Sequence, residues 1–239
     1  TGLTNFVNLF GGGGLTITAT LRGEDNPETI ILGRYATSGQ CVYVNSHGKS
    51  NRYLTHVVEL CSAPGATLSR LILGDKWVSL GITAHPEYGV PVLGDYEGHV
   101  WLRYYDGRQT AADPDLVAKY SADPDMPWEA TAVGAGLCYA VMTFRYDQED
   151  LPQVPSYRFE LDGIPLYDIR KDSTAGGSGS QRLSNPATWT QTNNPIVQAW
   201  NILRGIPLPG GEIYGGGYDL SMLPSSVWMA ALDRWEVGG

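Results

Sequence analysis

The chain has 239 residues, 42% hydrophobic and 10% aromatic, with a formal net charge of −9 and a pI near 4.8. That apolar content supplies packed cores and excludes intrinsic disorder, while the acidic balance repels phosphate and gives no reason to expect non-specific nucleic-acid binding. The 30 glycines and 15 prolines, with 14 tyrosines and 7 tryptophans against 4 phenylalanines and 4 methionines, point to many turns between strands and to few helices.

Leu3, Phe6, Val7, Leu9 and Phe10 precede a four-glycine run, Gly11 to Gly14, which reads as a hinge or tight turn because the Lys and Ser/Thr of a phosphate loop are missing. Leu15 to Leu21 alternates cleanly as a strand with one wet face, and Arg22 to Pro27 is the turn after it. Glu28 to Tyr35, Gly39 to Asn45 and Arg52 to Cys61 continue a meander. Leu68 to Leu73 and Lys76 to Leu80 form a hairpin around Gly74-Asp75. Gly81 to Gly98 is rich in loops, and His99 to Tyr105 is the next strand. Asp113-Pro114 caps and opens a short helix through Tyr120. Asp123-Pro124-Asp125 repeats that signal, and it lacks the ligand spacing, central glycine and closing glutamate of a calcium loop. Gly136 to Tyr146, the most hydrophobic run, predicts a buried central strand, and Asp147 to Pro155 is the best boundary between domains.

Beyond that boundary, Tyr157 to Asp168 alternates as a strand broken at Gly163. Lys171 to Ser184 is Gly/Ser-rich without periodicity and reads as a surface loop. Asn193-Asn194-Pro195 starts a helix with Ile196, Trp200 and Leu203 on one face and Gly205 at its end. Gly205 to Gly217 is a Pro/Gly loop. Pro224 to Trp235 is a second helix with Trp228, Leu232 and Trp235 on one side.

Chemistry-bearing patterns are sparse. Cys41, Cys61 and Cys138 are odd in number and far apart, which argues against a disulfide framework, a zinc finger or an iron–sulfur site, and all three read as buried apolar residues. The Gly176 to Ser180 run lacks the spacing of a nucleophile elbow. His47, His56, His85 and His99 lie singly, with no zinc-protease motif. His56 reads as a core or interface residue, and His99 near Asp95 and Glu97 is compatible with an acid/base site or with a plain strand start. Asp95, Glu97, Asp113 and Asp162 are candidate carboxylates for a glycosidase, which needs two of them about 5–10 Å apart. Trp77, Trp101, Trp128 and Trp189 are candidate sugar-stacking residues, each also placed for core packing. No catalytic, cofactor or metal site emerges. No signal peptide and no run of about 18 apolar residues is present, so a soluble protein is expected. Starting at Thr1 and ending on Gly238-Gly239 after a helical pattern, the sequence is compatible with a piece of a longer product.

The run Gly163-Ile164-Pro165-Leu166-Tyr167-Asp168-Ile169-Arg170, then Trp189, then Asn193-Asn194-Pro195, resembles the tail-tip hub proteins of long-tailed bacteriophages, relatives of the lambda host-specificity protein J and of the gene transfer agent tail-tip protein. Ile31-Leu32-Gly33-Arg34-Tyr35, Asn51-Arg52-Tyr53-Leu54 and Leu71-Ile72-Leu73-Gly74-Asp75 extend the resemblance over Glu28 to Trp235. Ala63-Pro64-Gly65 departs from the family's acidic Glu-Gly turn. The resemblance implies a non-enzymatic structural subunit of a virion tail tip, assembled in the host bacterial cytoplasm. It implies a homotrimer that closes the tail tube against the distal tail protein, the tape-measure C-terminus and fibre or tip proteins, and lets phage DNA pass without specific binding. The composition of the Lys171 loop suggests ordering, as far as Thr188, only on contact with a neighbouring subunit or tail protein. A receptor- or carbohydrate-binding module and a peptidoglycan-degrading glycosidase are the alternatives. The expected fold is β-rich α+β, with two β-dominated, barrel- or sandwich-like domains at 1–150 and 151–239 and a few short helices near the C-terminal end.

Overall fold

The computed structural model describes residues 27–237, with side chains through Arg234. The predicted Leu15 to Leu21 strand and the Gly11 to Gly14 turn lie outside these residues. The strands are β1 (Arg34–Thr37), β2 (Gln40–His47), β3 (Tyr53–Cys61), β4 (Thr67–Leu73), β5 (Lys76–Val78), β6 (Val90–Pro91), β7 (Val100–Asp106), β8 (Cys138–Arg145), β9 (Tyr157–Asp162), β10 (Ile206–Pro207) and β11 (Ile213–Tyr214). The helices are α1 (Pro114–Tyr120), α2 (Pro195–Arg204) and α3 (Ser225–Val237). The class is β-rich α+β, and among the described residues no sheet closes into a barrel. The described chain forms two compact units, one of 27–29, Ala36–Pro64 and Leu68–Glu160, the other of Ile30–Tyr35, Gly65–Thr67 and 161–237.

The first unit is built on a five-stranded sheet in the order β2-β3-β8-β7-β6, antiparallel at every pairing. β8 takes the centre because every residue from Cys138 to Phe144 is buried, as a strand covered on both faces requires. On one face Tyr43, Val57, Tyr139 and Val141 pack against Leu116 and Tyr120 of α1, with Trp128 and Met126 closing the margin. Asp113 starts α1 by accepting from Asp115 N and Leu116 N at 2.9 and 3.0 Å. Its fully buried carboxylate also takes both bonds from Arg103 Nη1, at 2.8 and 2.7 Å, and one from the Tyr105 hydroxyl at 2.9 Å. One side chain thereby caps a helix and ties it to β7.

The opposite face holds His56, whose Nδ1 lies 2.9 Å from the Tyr157 hydroxyl while its Nε2 is enclosed without a partner. Burial pushes its pKa down from 6.5 to about 4. Between those values the unfolded chain takes up a proton that the folded chain refuses, so stability falls as pH drops through 6.5 towards 4. Urea unfolding at pH 7.5 and 5.0 is expected to show about 2 kcal/mol lost through this group, recovered in His56→Phe.

Four further strands form a second sheet in the order β1-β9-β4-β5. The β4–β5 hairpin turns at Gly74 as predicted, with Leu71↔Val78 and Leu73↔Lys76 in register. The predicted strand at Glu28 to Tyr35 is shortened, because Gly33 takes a φ of 68° and extended pairing starts only at Arg34. In the second unit α2 begins and ends where the sequence places it. The Asn194 side chain accepts from Ile196 N and Val197 N, Pro195 follows, and Gly205 closes the helix at φ 95°. Its buried face is Val197, Trp200 and Asn201, rotated from the predicted Ile196, Trp200 and Leu203.

Candidate assembly surface

The residues that carry the family resemblance form one hydrogen-bonded scaffold in the second unit. Gly163 N donates to Gly33 O at 2.7 Å and Ile164 N to Ile31 O at 3.0 Å. Leu166 and Thr190 bridge, which brings Trp189 beside Tyr167 with ring centroids 6.3 Å apart. Asp168 is buried and accepts a fork from Arg170 at 3.0 and 2.7 Å, and Arg170 Nη1 reaches Leu232 O of α3 at 3.5 Å. The Asn201 amide pairs with the backbone of Tyr167 as a neighbouring strand would, donating to its carbonyl at 2.7 Å and accepting from its N–H at 3.3 Å.

Lys171 to Ser184 departs from expectation here. It is folded within the chain, pinned at both ends of a turn rather than waiting for a neighbour. Asp172 is buried and accepts from the Tyr167 hydroxyl at 2.8 Å, from Thr174 Oγ1 and N at 2.6 and 2.8 Å, and from Arg182 at 3.2 Å. These hydrogen bonds, Thr174's first, hold its carboxyl at about 2. Gln181 accepts from Asp168 N at 2.8 Å, and the Trp189 indole donates to Arg182 O at 2.9 Å. Gly177 is needed because a Cβ there would sit 2.2 Å from Arg170 O. Polar and glycine content therefore marks a hydrogen-bonded loop, which composition does not distinguish from a disordered one.

Next to this scaffold, the chain from Gly205 to Leu232 carries no Lys or Arg and only two acids, Glu212 and Asp219. β10 and β11 pair as a small hairpin, and Gly216 N and Tyr218 N donate to Ile202 O and Leu203 O at 2.7 and 2.9 Å, filling the last carbonyls of α2. With its backbone fixed in this way, the segment turns Ile213, Tyr214, Tyr218, Leu220, Met222 and Val227 outward, with Ile213 61% and Met222 65% exposed. Apolar side chains held outward on an anchored backbone are the usual mark of a protein interface.

The residues weighed as catalytic or binding groups are occupied elsewhere. Asp113 is buried in its cap, Asp162 pairs with Arg34 at 2.8 Å, Asp95 with Lys76 at 3.3 Å, and Glu97 is an exposed turn residue. None of the four lines the cavity of about 200 Å³ in the first unit, which is bounded by Thr29, Thr37, Gly39, Gln40, Glu59 and Leu60. His99 faces Asp150 at 3.5 Å instead of Asp95 or Glu97, His47 bonds the Tyr120 hydroxyl at 2.8 Å, and His85 stacks on Tyr88. Trp101 and Trp189 are buried and Trp128 is half-buried, so only Trp77 shows a broad face, with Arg70 stacked 5.1 Å from its ring. Cys61 and Cys138 are buried as expected, and burial pushes the half-buried Cys41 thiol up to about 11. The Asp123 triplet forms a turn, its carboxylate accepting from Asp125 N and Met126 N, rather than a helix cap. Among the described residues no group of three His, Cys, Asp or Glu is placed to hold a metal, and no helix is long and apolar enough to cross a membrane.

No protein-family profile and no curated protein matches the chain. Among solved structures, a chain from the virion of a native gene transfer agent particle is similar at 15% identity, with a TM-score of 0.39. The match covers 92% of this chain and 53% of that one, so this chain spans about half of the neighbour's length. Asn201, Asp172, Gln181 and Arg182 were not singled out by sequence reasoning. For Asn201 the one available signal was its position four residues after Val197, on the helix face that ends up buried.

Proposed function

We propose that the chain is a structural component of the tail tip of a bacteriophage or phage-like particle: a hub subunit that closes the distal tail tube as a homotrimer and anchors fibre or tip proteins. The observation that carries this reading is the placement of the resembling residues. Gly163, Asp168, Arg170 and Asn194 all serve a hydrogen-bonded support, and that support presents an apolar strip free of Lys and Arg, with Glu212 and Asp219 as its two charges. Such an arrangement suits a part that assembles. The acidic balance of the chain suits a wall past which DNA slides without sticking.

The test is the mass in solution, by light scattering, of the purified chain alone and mixed with a distal tail protein. A trimer, or a ring with the tail protein, is expected; a chain that stays monomeric in both settings overturns the reading. Ile213→Asp combined with Met222→Asp is expected to leave the thermal midpoint within about 2 °C, since both side chains are exposed, while reducing assembly at least tenfold. A carbohydrate-binding reading draws on Trp77, whose exposed indole offers a face to a sugar. Sedimentation with peptidoglycan, lost in Trp77→Ala, would favour it.

A further inference from the structure

Among the described residues of the second unit, two partly buried arginines meet buried anions and a third does not. Arg170 meets Asp168 and Arg182 meets Asp172. Arg204, the last residue of α2, meets none of the described carboxylates. Its guanidinium lies 5.0 Å from the Trp189 ring and 5.6 Å from the Trp200 ring. Nε is enclosed with no acceptor, Nη2 makes a single bond to Asn201 Oδ1 at 3.1 Å, and Nη1 donates to nothing and reaches solvent. Beside it the Trp200 indole N–H is also enclosed and unpartnered, in a residue only 3% exposed. Asp172, the buried acid bonded to the neighbouring Tyr167, is already engaged by Tyr167, Thr174 and Arg182.

A half-buried charge without a counter-charge is costly, and burial here does work against the charged form of Arg204. The indole faces and the carbonyls at the end of α2 offset part of that cost. Neither neutralises the guanidinium. We propose that Arg204, walled by Trp189 and Trp200, is a binding site for a carboxylate, taken at the open Nη1 edge. The choice of carboxylate over phosphate follows from the charge count. A single guanidinium balances one negative charge, and the surrounding chain, at −9, disfavours a multiply charged ligand. The flat indole walls exclude water from the sides, which strengthens a single ion pair relative to one in open solvent. This inference stands apart from the tail-tip reading and survives its failure.

The experiment follows the Arg204 Nε–H and the Trp189 and Trp200 indole N–H signals in ¹H–¹⁵N spectra of the whole chain. The ligands are sodium acetate, as a free small acid, and a blocked glycine-glutamate-glycine tripeptide, as a protein-borne side chain. Sodium chloride at equal ionic strength and inorganic phosphate are the comparators. Saturable shifts with a carboxylate, with Kd on the order of 1 mM or tighter, are expected, at least tenfold weaker in Arg204→Lys and absent in Arg204→Gln. A tripeptide that binds at least tenfold tighter than acetate supports the proposal with a protein side chain as its source. Equal binding supports it with small acids as the source. Equal shifts with chloride or phosphate, or no shift up to about 50 mM, overturn it. Should Arg204→Gln lose the fold, seen as collapse of the remaining spectrum, the wild-type comparison of carboxylate with chloride and phosphate still decides.

Discussion

Replacing Asp113 by alanine is expected to cost about 3–5 kcal/mol of stability, because it removes one partner of a buried pair and leaves Arg103 enclosed with excess charge. The same change deletes the cap of α1, worth about 1 kcal/mol on its own, and frees the Tyr105 hydroxyl. Asp113→Asn separates the two effects, since asparagine caps as well as aspartate but cannot neutralise Arg103. Urea unfolding should therefore place Asp113→Asn between alanine and wild type. An alanine variant within about 1 kcal/mol of wild type would mean that Asp115, 2.5 Å from Arg103, is able to hold the guanidinium alone.

Asn201→Leu is the corresponding change in the second unit. It keeps the volume of the side chain and removes every polar contact, leaving the N–H and C=O of Tyr167 buried without partners. Each orphaned group costs about 1–3 kcal/mol, so a loss of roughly 3–5 kcal/mol is expected, together with a thermal midpoint lower by roughly 10 °C. The resembling run is affected first, because Tyr167 sits beside Asp168 and Asp172 in the same network. An unchanged midpoint would show that the amide pairing is dispensable.

The parts of the fold that could be read in the sequence are those set by local chemistry. Asn194, Pro195 and Gly205 bound α2 because capping involves backbone groups within a few residues, and the same holds for Asp113 and Pro114 at α1. β8 was legible because a long apolar run has few places to go other than the middle of a sheet. The rotation of α2 was not. Apolar counting favours Ile196 and Leu203, and only the Tyr167 backbone, 34 residues away in sequence, makes a buried Asn201 favourable. The loop at Lys171 to Ser184 was misjudged for a related reason: its stability lies in hydrogen bonds to Asp168, Arg170 and Tyr167, which a scan for hydrophobic surface does not see. The cation–aromatic cluster at Arg204 joins Trp189 to a helix that starts six residues later, and no spacing rule marks it.

The order of strands in the five-stranded sheet also constrains how the chain acquires its structure. β3 pairs on one side with β2, close by in sequence, and on the other with β8, about 80 residues further along. Until β8 is synthesised, β3 has an open edge carrying Leu54, Val57, Val58 and Leu60, all almost wholly buried in the finished sheet. Emerging chains should therefore be most prone to clump when translation has passed β7 but has not yet released β8. A ribosome stalled before β8 has left its exit tunnel would hold the most aggregation-prone intermediate, and one stalled far enough beyond Arg145 for all of β8 to have emerged would hold a sheet that can close.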